Sequence, residues 1–372
     1  MPASIIPAHA VSLADYGNVP GTGVNREHIS DMLILAAQTK TPLLAMAGTE
    51  TVSHTTYEWP EDALTDPRSA QDAGSGTGSL VSGVKEGADF SPSQMTNPFL
   101  NLNFVQNFRR DVLVTRDQIL MNPAGIKNTY AHNERKIMQE LLRALETRFF
   151  SVLQRNGDQT GATLGVRLMK TLDSFSNTGH TGDQANNRIA VGTDNAPASI
   201  TEDNVLDVLQ NMADLGMPGV TLMASAPVKR KISRTFTGIG NAGTGAPLNR
   251  QSPNPRTVIA TVATYENDFE TVELIWNPWV TKETEDVYRY DGVAIAEDDA
   301  TGDGGLGATF TRLAGRVWIF AQGNIKVGWF DKFHSESIGK RGDSIGGIVR
   351  GGATLVVGST KGLGTVAGIA NS

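Results

Sequence analysis

The chain has 372 residues, no cysteine, 39% hydrophobic residues, 40 glycines and 16 prolines, and a formal net charge of −7 at pH 7. The lack of cysteine excludes a disulfide framework, a Cys-ligated zinc site and a thiol nucleophile, and the acidic balance excludes a global basic field that would clamp nucleic acid. No run of about 18 consecutive apolar residues occurs, and the opening MPASIIPAHAVSLADYG lacks a basic n-region, so a soluble, non-secreted protein with no helical membrane span is expected.

The first 25 residues are punctuated by Pro and Gly and read as an extended arm. Residues 26–37, REHISDMLILAA, then place Ile29, Met32, Leu33 and Ala36 on one helical face. A strand is expected at 49–59, TETVSHTTYEW, which is rich in β-formers yet offers only Val52 and Tyr57 as apolar company for Trp59. Residues 65–102 hold little that could build a core, and a stretch of that length without regular structure is either disordered or functional. Its far end runs into a second β-rich segment, 103–119, with Val105, Phe108, Val112 and Val114. Together the two segments predict a hairpin arm that reaches outward.

The clearest periodicity lies at 127–155, KNTYAHNERKIMQELLRALETRFFSVLQR. Met138, Leu141, Leu145, Phe149 and Val152 make a buried stripe, while Glu134, Arg135, Glu140, Arg143 and Glu146 are assigned to the other side. At 1.5 Å per residue the helix would be about 43 Å long, an organising spine closed by Gly157. Beyond the polar segment 173–200 the pattern becomes α/β. Thr201 is a candidate N-cap with Glu202 and Asp203 at the positive end of the dipole, and Val205, Leu209, Met212 and Leu215 are the stripe that Gly216 and Pro218 end. A buried strand follows at 219–225, then a short helix opened by Pro227 with Val228, Ile232 and Phe236. Strands are expected near 256–264 and 271–276, and from Arg316 onward short β runs alternate with Gly turns.

The chemistry-bearing motifs are weak. Gly238, Gly240 and Gly243 spell G-x-G-x-x-G, but no strand precedes them and APLNRQSPNP cannot open the helix that a dinucleotide site needs. His9, His28, His54, His132, His180 and His334 are scattered, with no i, i+4 pair to share a metal. Glu297, Asp298, Asp299 and Asp303 lack the full spacing of a calcium loop. Arg341-Gly342-Asp343 is too short to carry an adhesion function, and no G-x-S-x-G elbow exists. Catalytic, cofactor and metal sites are therefore all expected to be absent.

The order of elements resembles the major capsid proteins of tailed bacteriophages with the Hong Kong 97-type fold, in the branch typified by Salmonella-type SU-phage head proteins. The resemblance is carried by Arg26 to Asp31, by Thr41-Pro42-Leu43-Leu44 with Gly48, and by Glu58-Trp59 with Asp62 and Leu64. It continues through Glu86-Gly87-Ala88, Asn107-Phe108-Arg109-Arg110, the long helix with Glu140-Leu141, and Arg167 to Leu172 with Thr171 where the family has Gly. Tyr265 to Phe269, Asp331 with Phe333, Gly342-Asp343 and Ala353-Thr354-Leu355 complete it, while 292–310 looks like an insertion.

The resemblance implies an α+β fold with an N-terminal arm (1–48), an extended β-hairpin loop (49–118), a peripheral domain (119–200) built on the spine helix, an axial α/β domain (201–315) and return strands of the peripheral domain (316–372). It implies a virion subunit, assembled in the host cytoplasm, that forms hexamers and pentamers of an icosahedral shell around double-stranded DNA held by weak non-specific contact. Glu58, Trp59, Glu86, Phe108, Arg109 and Arg110 are the implied inter-subunit contacts, and portal, scaffold or decoration proteins the further partners. An α/β enzyme using 201–236, or another phage structural protein such as a tail-tube or decoration subunit, is the alternative.

Overall fold

The computed structural model describes residues 37–62, 86–87, 89, 98–121, 126–151, 167–177, 187–193, 196–236, 262–281, 289–290, 293–294, 296–297, 308–309 and 314–370. Its elements run α1 (Pro42–Met46), β1 (Gly48–Thr51), β2 (Thr56–Glu61), β3 (Phe99–Phe104), β4 (Gln106–Thr115), α2 (Arg116–Leu120) and α3 (Thr129–Phe149). There follow α4 (Leu172–Asn177), β5 (Arg188–Ala190), α5 (Glu202–Asp214), β6 (Gly219–Ala224), α6 (Ala226–Phe236), β7 (Thr264–Glu266) and β8 (Thr271–Trp276). Four two-residue strands, β9 (Arg289–Tyr290), β10 (Val293–Ala294), β11 (Ala296–Glu297) and β12 (Ala308–Thr309), precede β13 (Gly315–Ala321), β14 (Ile325–Arg341), β15 (Ser344–Val357) and β16 (Leu363–Ile369).

Two larger sheets organise the chain. The first has the order β1-β14-β15-β4, with β14 and β15 a long antiparallel ribbon, β4 antiparallel on one edge and β1 parallel on the other. Alternation along β4 buries Val112 and Val114 and leaves Leu113 and Asp111 outside, so α3 lies over one face of this sheet only. Its Leu141, Met138 and Ile137 meet Val112, Val114 and Val349 there. Gly347 makes the close approach possible, because a Cβ at that position would stand 2.0 Å from the Tyr130 hydroxyl oxygen.

The second sheet has the order β5-β16-β13-β6-β8-β7. Every residue of β13 and β16 is buried, as expected for central strands covered on both faces. Val317 and Ile319 point into a cluster with Val205, Val208, Leu209 and Met212 of α5 and Val228 and Ile232 of α6. Trp318 and Phe320 point the other way, into a cluster with Leu145 and Phe149 of α3 and Ile325, Val327 and Leu355 of the ribbon. That second cluster joins the two sheets. The N-terminus of α5 is fixed as its sequence predicts, by a reciprocal cap in which Thr201 Oγ1 accepts from the Asn204 amide while Asn204 Oδ1 accepts from the Thr201 amide. Gly216 ends it at φ +79°, a conformation that glycine adopts without Cβ strain.

After passing from the first sheet to the second between β4 and β5, the chain crosses between them twice more, at 321–325 and at 357–363, and these two crossings run side by side. Asn324 ties them: its carbonyl accepts from the Gly358 amide (2.8 Å), its Oδ1 from the Ser359 amide (2.8 Å), and its Nδ2 donates to the Ser359 carbonyl (2.8 Å).

Several expectations are corrected. The spine helix is 21 residues long, from the Asn128 cap to Phe149, because Phe150 and Ser151 turn the chain into the core instead of continuing to Gly157. Glu146, assigned to the solvent side, is fully buried. The strand expected at 49–59 is two strands, β1 in the four-stranded sheet and β2 in a separate pair with β3, so the segment 49–118 is divided between a sheet and a hairpin. The segment 316–372 is likewise divided: β14 and β15 build the four-stranded sheet, whereas β13 and β16 fill the middle of the α/β sheet. In Arg341-Gly342-Asp343, Arg341 ends β14 and Gly342 and Asp343 make the β14–β15 turn. The helix at 26–37 short of its last residue, the glycine motif at 238–245, the strand at 256–261 and most of the insertion 292–310 lie outside the described residues.

Candidate assembly interface

The β2–β3 hairpin is seated on the body by one face. Trp59, 9% exposed, packs 6.0 Å from Phe175 and 5.7 Å from Tyr57 between ring centroids, and its Nε1 donates to the Val357 carbonyl at 2.8 Å. Beside it, Asn103 receives the Lys170 amide on Oδ1 (2.6 Å) and gives Nδ2 to the Leu355 carbonyl (2.7 Å), and Asn101 Nδ2 donates to Glu61 Oε2 (2.6 Å). A buried face so rich in amides is satisfied only in this one register. The sequence expectation for Trp59 is therefore corrected: besides Tyr57, its company comes from Phe175 and Val357, more than a hundred positions away in its own chain. The opposite face of the hairpin points outward, with Glu58 exposed, Pro60 opposite Leu100, and Leu100 65% exposed.

Other predicted contact residues fall on two sides of β4. Phe108 and Arg110 face inward, Phe108 edge-on to Phe333 at 6.1 Å and Arg110 in an ion pair with Glu140 of α3. Arg109 faces outward and pairs with Asp111 at 2.8 Å. Glu86 is exposed in a turn with Gly87 at φ +78°. The outer face of this sheet also carries His334, whose Nδ1 is 3.3 Å from Asp331 Oδ1 and whose Nε2 is 3.2 Å from Glu336 Oε1, while Arg350 Nη2 reaches the same Glu336 oxygen at 2.6 Å. The Lys332 carbonyl and then Glu336 raise the His334 pKa above its ordinary value. The carboxylates flank opposite ring nitrogens, and among the described residues no group of three or more such side chains could hold a metal.

Glu146, which the sequence reading placed on the wrong side, joins three elements. Its Oε1 accepts from the Leu43 amide (2.7 Å) and Asn277 Nδ2 (2.7 Å), and its Oε2 from the Leu44 amide (2.9 Å). The carboxylate thus caps the N-terminus of α1 from another helix, although Thr41 itself supplies no side-chain cap. Burial pushes its pKa up, and the three donors work against that shift. Trp279 completes the junction by donating Nε1 to the Lys40 carbonyl at 2.7 Å.

Exposed apolar side chains gather at the far end of the ribbon as well. Leu113 is 63% exposed and Leu120 72%, with Met121 and Ile338 also open. Large apolar side chains gathered into one exposed patch, unlike those scattered singly, mark a contact surface. The family model described as SU10 major capsid protein matches residues 15–370. The chain belongs to that family. It is a shell subunit of a phage capsid, and solved capsid subunits share its fold. The cyanophage A-1(L) capsid subunit superposes with a TM-score of 0.62 at 9% identity, covering 93% of this chain and 97% of that one. The capsid subunit of cyanophage P-SCSP1u gives 0.53 at 12%, covering 95% and 97%. The SrpI encapsulin of Synechococcus elongatus gives 0.52 at 10%, covering 94% and 93%. These are likenesses of fold, of the Hong Kong 97 type. No curated protein matches the sequence.

Proposed function

We propose that copies of this SU10-type capsid protein close an icosahedral head as hexamers and pentamers around double-stranded DNA, and that the chain does no catalysis. The observation that carries the reading is the β2–β3 hairpin, seated by Trp59 and two buried asparagines while Glu58, Pro60 and Leu100 face away from the subunit. A two-stranded element with one apolar side open is marginal by itself and gains its cover from a neighbouring copy. Glu58, Glu86 and Arg109 meet the neighbour, whereas Phe108 and Arg110 hold β4 in position and Trp59 supports the hairpin from behind. The four-stranded sheet with α3 takes the peripheral role and the six-stranded sheet the axial one. Portal, scaffold and decoration proteins complete the head, and assembly takes place in the host cytoplasm.

Purified protein examined by sedimentation and negative-stain microscopy should show capsomers or closed shells. A monodisperse monomer of 39.7 kDa across salt and concentration would refute the proposal.

A further inference from the structure

We infer that the outward face of α3 is where the subunit meets the phosphate backbone of the enclosed duplex. The inference rests on the proposed role as a DNA container and assigns the contact to one surface. Although the chain is acidic overall, α3 exposes more free cations than free carboxylates. Two of its three carboxylates are engaged by the protein: Glu140 pairs with Arg110 and Glu146 is buried under α1, which leaves Glu134 as the one that no ion pair or hydrogen bond holds among the described residues. Arg135 and Lys136 are exposed, and the half-buried Arg143 follows Lys136 by seven residues, two turns along the same side, with Glu140 between them held by Arg110.

The row ends at the α1 junction, where Arg143 lies 4.9 Å over the Trp279 ring and Lys40 5.9 Å over the Trp276 ring. Cation–π contact leaves a guanidinium or ammonium its full charge while restricting its motion. Among the described residues no ion pair engages Lys40, Arg135, Lys136 or Arg143, whereas Arg109, Arg116 and Arg350 elsewhere on or beside the four-stranded sheet, and Arg110 against α3 itself, each have a carboxylate partner. Lys136 and Arg143 are separated by about 11 Å, roughly three phosphate steps at 3.4 Å per strand. Four unpaired cations with nothing to read base edges fit a non-specific contact with duplex DNA: weak in one subunit, additive over a shell.

Unassembled subunits titrated into a fluorescein-labelled 30-base-pair duplex of arbitrary sequence provide the test, read by anisotropy between 50 and 200 mM NaCl. With about three phosphates neutralised, affinity should fall about 40-fold over that range. Arg135→Gln/Lys136→Gln/Arg143→Gln should flatten the salt dependence and weaken binding at least about tenfold at 50 mM, and Arg116→Gln should change neither. Because Arg143 touches Trp279, the exposed pair Arg135→Gln/Lys136→Gln is measured separately, with circular dichroism confirming the fold, and should give about two-thirds of the slope change. Wild-type protein that ignores duplex at 50 mM, variants that bind as wild type does, or binding of polyglutamate in preference to duplex would each overturn the inference, the last in favour of an acidic protein partner. Micrographs of the same preparations score shell formation separately: shells without the DNA effect refute this contact alone, and the DNA effect without shells refutes the container.

Discussion

Replacing Trp59 by alanine separates two uses of the same residue. The ring is almost completely buried against Phe175 and Tyr57 and bonds Val357, all within one subunit. Truncating a buried aromatic costs about 3–5 kcal/mol, and losing the indole donor strands the Val357 carbonyl for about 1 kcal/mol more. At about 2 °C per kcal/mol for a chain of this size, unassembled Trp59→Ala subunits should melt roughly 8–12 °C below wild type. Trp59→Phe keeps most of the ring and should recover more than half of that loss. The assay is a thermal melt by circular dichroism on subunits held below the assembly concentration, beside micrographs of the same samples. Shells that fail while the subunit melts within about 1 °C of wild type would refute the argument and return Trp59 to an interface.

Leu145→Asp, placing an unpaired charge in the cluster that joins the sheets, should cost roughly 3 kcal/mol or more and abolish soluble expression. Glu146→Gln sets an amide donor against three donors and should destabilise by about 1–3 kcal/mol in urea melts, with hydrogen exchange accelerating first at residues 42–47. Because the folded pKa of Glu146 is raised, its contribution is fully present below the ordinary glutamate pKa and is lost as pH rises through the folded value; the gap between wild type and the Gln variant should therefore widen on acidification. His334, also raised, contributes most below its ordinary pKa and loses that contribution as pH rises through its folded pKa, and Glu336→Gln should lower its midpoint in an NMR titration. Gly368→Ala, at φ +78° with the Gly192 carbonyl oxygen 2.0 Å from the new Cβ, should leave the protein insoluble.

What the sequence revealed depended on the range of the forces involved. The α5 cap, its stripe and the β6 strand were legible because each is set by neighbours within a few residues. The capsid resemblance was legible because the order of many weak motifs survives even where each is ambiguous. Trp59 was misread for the opposite reason: Phe175 and Val357, its true surroundings, are 116 and 298 residues away. Glu146 failed in the same manner. A carboxylate on a helix reads as solvent-facing unless the amides of Leu43 and Leu44 are known to be waiting for it. The division of the last 57 residues between two sheets was equally hidden: β13 is, past Arg316, a continuous apolar run and β14 alternates, but neither pattern names its partner strands or says that the chain changes sheets at Asn324.

That change of sheet also governs how the subunit bends. The two crossings run in parallel and share Asn324 as a cross-tie, so they act as a flat strap, stiff to shear in its own plane and compliant about the axis across it. The 17 residues of β14 extend from this strap for about 56 Å at 3.3 Å per residue. A tilt of about 5° at the strap therefore carries the Arg341–Ser344 turn through roughly 5 Å on that lever, enough to exchange one row of side chains for the next at a contact.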